Sequence, residues 1–438
     1  MRALRTYAAL LRLPGARRAV LPALVARSTY AMAGLSLLLF VHARTGSFGS
    51  AGLVVGAYSL ASAASAPILG RAVDRMGATR VLGVVAVAYP VALLSLLAVP
   101  EGGWLPLLCA AAGGASQPPT GPAMRALWPA LTPDPALLAT AYNFESVLVE
   151  TVFVAGPLLV GVLVATAGTT AALVVTAGVM CLGTLGFVSA PVVRRRPRRD
   201  PGLRVATPLS SPAVRSVMLV ILLVAAAFGA LEVAVAGFAT QHGASSRSGV
   251  LLAIWAVGSF SGGLWYGGRT RPVDPGRRYL LLVSLIGVSF LPLALARTGL
   301  ELAGLLFVAG LAVAPTGTEE FGLIGRHAPP GSATEAFTWA TMLMAVGGSV
   351  GNAGGGFVQN RYGSTWTFLL GAALALLGAA AALAQRRRIT SPVGHHQPAA
   401  VPVRRPALGD GTQWEPGLFP ETVTGASAWA GAQPGPRE

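Results

Sequence analysis

The sequence predicts an all-α membrane protein of twelve transmembrane helices in two six-helix bundles. Three observations carry that expectation. Hydrophobic residues make up 53% of the 438-residue chain and charged residues only 11%. A soluble domain is about a quarter charged, so this chain cannot cover a water-facing surface of its size. The apolar residues also fall in long blocks, such as 81–99, 217–239 and 366–384, each without Lys, Arg or Asp. A hydrocarbon core of about 30 Å needs about 20 such residues as a helix. Finally, all 32 basic residues are Arg, and they cluster in the short gaps between blocks.

The elements follow in order. The N-terminus carries Arg2, Arg5 and Arg12 before an apolar run, superficially like a signal peptide. No small-residue cleavage site follows that run, so an uncleaved first helix is expected. Apolar blocks then lie at 19–42, 48–70, 81–99, 104–124, 136–166 and 170–192. After a polar gap they resume at 217–239, 248–268, 279–296, 299–324, 333–358 and 364–385.

Arginine placement sets the expected orientation. With both termini cytoplasmic, the inner gaps hold 24 Arg and the outer gaps only Arg44, Arg247, Arg297 and Arg361. This positive-inside bias supports an even number of spans in the plasma membrane. It also explains the net charge of +16 better than nucleic-acid binding does. The expected domains are a first bundle at 1–193, a basic, Pro-rich cytoplasmic linker at 194–213, a second bundle at 214–388 and a disordered cytoplasmic tail at 389–438. The linker arginines are placed to touch anionic lipid headgroups. Cys109 and Cys181 sit inside apolar blocks without a CxxC or a nearby His, so they read as small buried hydrophobes and no metal site is expected.

The two halves repeat. Gly34 matches Gly229, Gly70 matches Gly263, Pro119-Thr120-Gly121 matches Pro315-Thr316-Gly317, and Gly156-x4-Gly161 matches Gly351-x4-Gly356. The offsets lie between 193 and 196 residues. Parallel six-helix repeats place a pseudo-twofold axis along the membrane normal, with a cavity between the halves. Small residues at the matched points let helices approach closely.

Between the second and third apolar blocks the chain reads Gly70-Arg71-Ala72-Val73-Asp74-Arg75-Met76-Gly77-Ala78-Thr79-Arg80. This resembles the signature loop of the major facilitator superfamily, G-x-x-x-D-R-x-G-x-x-R, with Gly70, Asp74, Arg75, Gly77 and Arg80 in register. Asp74 can sit at the N-terminal end of a neighbouring helix, where the dipole and free N–H groups favour a carboxylate. Arg75 and Arg80 can pair with carboxylates across the cytoplasmic face. The resemblance implies that such a cluster holds the two halves together and breaks when the protein opens inward. The second half has Gly263-Leu264-Trp265-Tyr266-Gly267-Gly268-Arg269 at the matching place, without the acid, so an asymmetric charge network is expected. Gly156-Pro157-Leu158-Leu159-Val160-Gly161 is similar to the G-P-x-x-G-G element of proton-driven exporters in the same superfamily, with Val160 in place of the first Gly of the closing pair.

The resemblance implies secondary active transport by alternating access, with proton-coupled export of a small organic compound ahead of proton-coupled uptake. It implies a monomer, a small-molecule substrate, protons as coupling ion, no cofactor and no enzymatic activity. No P-loop or HExxH is present. From a different class, a non-transporting receptor or assembly factor on the same scaffold stays open.

Charge inside the bilayer costs at least about 2.5–3.5 kcal/mol on insertion scales, so intramembrane carboxylates are paired or functional. Glu150 and Glu232 are the candidates for proton exchange or for contact with a cationic substrate, with a static pair to Arg27 or a hydrogen bond to a neighbouring helix as the alternative. Arg125, Glu145, Glu319, Glu320 and Glu335 lie towards the inner ends and are candidate inner-gate charges. Tyr30, Tyr58, Gln117, Asn143, Trp255, Trp339 and Asn352 can line the cavity or serve as packing residues.

Overall fold

The computed structural model describes residues 2–101, 103–132, 134–195, 206–242, 248–267 and 274–390. Every element among the described residues is helical. An amphipathic first helix, α1 (Arg2–Arg12), precedes α2 (Ala16–Thr45) and α3 (Phe48–Met76). Gly46, with φ 66°, closes α2, and the Ser47 hydroxyl accepts the Ser50 N–H to start α3. α4 (Ala78–Leu94) runs into a 3-10 turn at Ser95–Leu97. The fourth apolar block is broken into α5 (Leu105–Ala115) and α6 (Thr120–Leu131). Pro118 and Pro119 interrupt it because proline carries no N–H for the helix ladder.

Next comes α7 (Pro135–Ser189), capped by Asp134, whose carboxylate accepts the Ala136 and Leu137 N–H groups. Its 55 residues would span about 80 Å at 1.5 Å each, more than two hydrocarbon cores. Gly168, with φ 85° and ψ 171°, breaks the helix between the fifth and sixth apolar blocks. α8 (Pro191–Arg194) ends the first half.

The second half repeats the plan with α9 (Pro212–Gln241), α10 (Ser248–Gly267) and α11 (Pro275–Phe290), the last followed by a 3-10 turn. Then come α12 (Gly299–Gly310), α13 (Val313–His327), α14 (Ala333–Tyr362), α15 (Ser364–Ala384) and α16 (Arg386–Ile389). Thr298 and Glu301 form a capping box at the start of α12. Among the described residues nine helices are long and apolar enough to cross a membrane. Among the described residues each of the twelve apolar blocks is mainly helical, the fourth with a break at 116–119. A count of twelve crossings takes α7 as two, and adds the interrupted α5–α6 pair and the glycine-rich α14. The linker core at 196–205, the tail at 391–438 and Arg269 lie outside the described residues.

The repeat read from the sequence recurs in the packing. α2 lies along α7 as α9 lies along α14, and α3 meets α5 as α10 meets α12. A Cβ on Gly156 would overlap Ala31, and one on Gly351 would overlap Ala226. A Cβ on Gly114 would strike the Tyr58 carbonyl and the Ser62 N–H; one on Gly310 would strike the same groups of Trp255 and Ser259. Partners and glycines are displaced together by 195 to 197 residues. Only the lack of a side chain lets these backbones touch.

Candidate functional site

The two halves meet along a seam at the end of the bundle that carries Asp74. The carboxylate of Asp74 accepts the backbone N–H of Glu335 at 2.9 Å. Glu335 sits in the first turn of α14, so Asp74 lies against the positive end of that helix's dipole. One residue of the same loop grips the Glu335 side chain. Arg71 donates from Nε at 3.0 Å and lies at 2.9 Å through Nη2, a two-pronged guanidinium–carboxylate pair. A Cβ on Gly70 would overlap Glu335 and Thr338, so α3 touches α14 only because residue 70 is glycine.

The sequence led us to expect Arg75 and Arg80 as the pairing arginines; the structure gives that role to Arg71. Gly70, Arg71 and Asp74 share one face of α3, while Arg75 and Arg80 are exposed and make no ion pair among the described residues. Gly77, with φ 92°, forms the turn into α4.

Deeper in the seam the links are polar and aromatic. Tyr7 of α1 donates to Asn143 Oδ1, and Asn143 Nδ2 donates to Thr318 Oγ1 of α13 at 3.1 Å. Tyr142 rests against Phe337 with ring centroids 6.2 Å apart. Asn143 is thus a fully buried cross-half tie. Tyr58 takes the packing role. It is buried in the first half, with its hydroxyl 3.3 Å from that of Tyr89. Tyr30 donates to the Pro118 carbonyl at 2.7 Å and so braces the break between α5 and α6. Gln117, in that break, accepts a hydrogen bond from Ser62.

A buried ionic cluster lies in the first half. Glu145 is fully buried; it accepts Arg27 Nη1 at 2.7 Å and Trp128 Nε1 at 3.0 Å, and Arg125 Nε lies 3.7 Å away. Arg27 therefore pairs with Glu145, not with Glu150 or Glu232. Two guanidiniums around one carboxylate leave a positive excess. Arg125 carries it towards the second half, over the Phe321 ring at 4.1 Å and within electrostatic reach of Glu320. Glu319 takes no part in this cluster and binds Arg278 at 3.0 and 3.1 Å.

Glu150 lies one turn further along α7. It sits beside Ser259 of α10, at the seam between the halves, with no arginine as its partner among the described residues. The indole N–H groups of Trp255 and Trp339 are buried in the same half as Ser259 and have no acceptor among the described residues. Glu232 lies further out on α9, exposed, beside Asn352 of α14. Gly156 packs tightly on α2, whereas Gly161 faces open space and Pro157 is exposed.

A sequence profile of the Major Facilitator Superfamily matches residues 21–352. The chain belongs to the major facilitator superfamily. It is therefore a multi-pass membrane transporter rather than an enzyme, in a superfamily whose members bind small-molecule substrates within the membrane. Solved structures agree on the fold of this superfamily member. The human organic anion transporter MFSD10 (TETRAN) superposes with a TM-score of 0.68 at 18% identity, covering 84% of this chain and 99% of that one. A bacterial homologue of the iron transporter ferroportin, in an outward-facing state, gives 0.71 at 15% identity, covering 85% and 99%. The same kind of homologue with soaked iron gives 0.68 at 15% identity, covering 84% and 98%. No curated protein matches the chain in sequence. Among the described residues no cluster of three His, Cys, Asp or Glu side chains could hold a metal ion.

Four participants were not singled out from the sequence: Tyr7, Arg71, Trp128 and Tyr142. Each acts through a partner on another helix. The one local signal was the spacing of Gly70, Arg71 and Asp74, which places all three on a single helical face.

Proposed function

We propose that this protein is a secondary active transporter that works by alternating access and exports a small organic compound in exchange for protons. The observation that carries the reading is Glu150, a carboxylate held beside Ser259 at the seam between the halves with no cation against it among the described residues. Such a group exchanges a proton, or meets a cationic substrate, as its access alternates. Trp255, one turn before Ser259 on α10, and Trp339 on α14 supply aromatic surface whose indole donors have no acceptor among the described residues. Glu232 and Asn352 extend the polar lining outward. The halves 1–193 and 214–388 are the moving bodies in this reading, with the linker and both termini in the cytoplasm of a monomer in the plasma membrane. The seam of Asp74, Arg71 and Glu335 then closes the cytoplasmic side, and inward opening breaks it.

Everted vesicles loaded with protein test the proposal directly. An imposed pH gradient, acid inside, is expected to drive accumulation of an exported cationic dye. Glu150→Gln is expected to abolish that accumulation while leaving exchange down a dye gradient intact. Coupled accumulation that survives Glu150→Gln would remove the proton role from this residue; accumulation under the opposite gradient would assign uptake instead.

A further inference from the structure

On the Asp74 end of the bundle, outside the seam, the chain folds back on itself between α1 and α2. Gly15 makes the reversal with φ 81°, a conformation side chains rarely adopt. Between this turn, the last turns of α6 and the short α8 lies a cavity of about 870 Å³. Four arginines line it from three separate elements: Arg12, Arg17, Arg18 and Arg195. All four are exposed, and none has an ion pair or side-chain hydrogen bond with the described residues. Among the described residues no carboxylate lines the cavity. The N-terminus of the 30-residue α2 opens at the same place without a side-chain cap, adding free N–H groups and the positive end of a dipole.

Like charges held this close repel each other unless an anion sits among them. Guanidinium groups recognise phosphate oxygens in pairs and with fixed geometry. The remaining walls decide the kind of phosphate. Leu11 and Val192 present apolar surface to the cavity, which a free inorganic anion cannot use and an acyl chain can. The volume falls within the range of about 300–1,000 Å³ typical of small-ligand sites.

We propose that this cavity binds the headgroup of an anionic phospholipid from the leaflet on the arginine-rich side. The phosphate sits among Arg12, Arg17, Arg18 and Arg195, and the first acyl carbons lie along Leu11 and Val192. The site is separate from Glu150 and the seam, and it needs only that the chain sits in a bilayer.

Native mass spectrometry of the full chain, titrated with phosphatidylglycerol or with phosphatidylcholine of the same acyl chains, tests the assignment. Each cation near a lipid surface contributes about a fivefold preference for the anionic lipid, so Arg17→Gln with Arg18→Gln is expected to reduce that preference about thirtyfold. Arg386→Gln with Arg387→Gln, an exposed pair on α16, is expected to leave it within twofold. Millimolar inorganic phosphate is not expected to displace the lipid. An unchanged preference in the cavity variant, an equal loss in the α16 variant, or displacement by phosphate would each overturn the proposal. Should the first variant fail to elute as a monodisperse peak, Arg12→Gln with Arg195→Gln replaces it, and retention of the preference there would refute the site equally.

Discussion

The first and second halves share a skeleton and differ in chemistry. Gly156 on Ala31 and Gly351 on Ala226 are the same backbone contact made twice. So are Gly114 on Tyr58 and Gly310 on Trp255. At the repeat offset, however, the first half's buried charges meet apolar residues. Arg27 corresponds to Leu222, Glu145 to Ala340 and Arg125 to Phe321. Phe321 is also the ring that Arg125 covers across the seam. The contrast separates two kinds of constraint. Close helix packing fixes where the glycines must be in both halves, because a Cβ there has nowhere to go. Buried charge obeys no such requirement, since the second half folds with none at these positions. The ionic cluster at these three positions is thus not part of the skeleton that the halves share.

That distinction can be broken most sharply at Glu145. Glu145→Gln leaves Arg27 and Arg125 facing each other in the interior, and is expected to destabilise the protein by about 3–5 kcal/mol. Thermal unfolding in detergent measures it. Copying the second half, with Arg27→Leu, Arg125→Phe and Glu145→Ala together, is expected to be near neutral or stabilising, because apolar replacement also removes the desolvation cost. A triple variant as unstable as Glu145→Gln would mean that the cluster holds the first half together.

Packing supplies the next test. Gly156→Leu and Gly351→Leu are expected to destabilise the protein by similar amounts, about 1–3 kcal/mol or more, as overpacking does. Gly161→Leu, at a position facing open space, is expected to change the unfolding temperature by less than a degree or two. A large difference between Gly156 and Gly351 would argue against a shared skeleton.

Smaller effects are expected at the seam. Asp74→Asn removes the negative charge from the α14 N-terminus, a loss of about 1 kcal/mol. A cysteine placed at Thr338, under the seam, should then react faster with a polar maleimide, by about fivefold. Arg71→Gln is expected to cost less than about 1 kcal/mol, since Arg71 is 36% exposed and surface ion pairs are weak. Equal labelling rates in all three proteins would show that this contact does not hold the halves together.

Much of the architecture is legible in one sequence because lipid imposes it. Twenty apolar residues in a row have one stable outcome, and each such block is mainly helical among the described residues. The carboxylate of Asp74 could be placed at a helix N-terminus from its charge and its loop. Which helix it meets could not be read, because Glu335 lies 261 residues away. The same limit hid Arg71, for helical facing is set by the neighbour and not by the loop's own order. Asn143 and Tyr58 read as either lining or packing residues, because polar and aromatic groups in a span suit a cavity as well as a helix contact. Both are satisfied by partners, Tyr7 and Thr318 in one case and Tyr89 in the other, that lie outside any local window. Arg27 was legible as a buried cation, but its choice of Glu145 over Glu150 depends on the rotation of α7.

The central claim is that the two halves move against each other, closing at one end as they open at the other. Double electron–electron resonance on spin-labelled protein in lipid nanodiscs tests it most directly, with Cys109 and Cys181 replaced by Ala. One label pair at Arg80 and Arg326 reports the Asp74 end; a second at Ser50 and Arg361 reports the opposite end. Between pH 8 and pH 5.5 the account predicts that one pair lengthens while the other shortens, with Glu150→Gln locking both distributions. Two distances that stay fixed at both pH values, or that lengthen together, would contradict it.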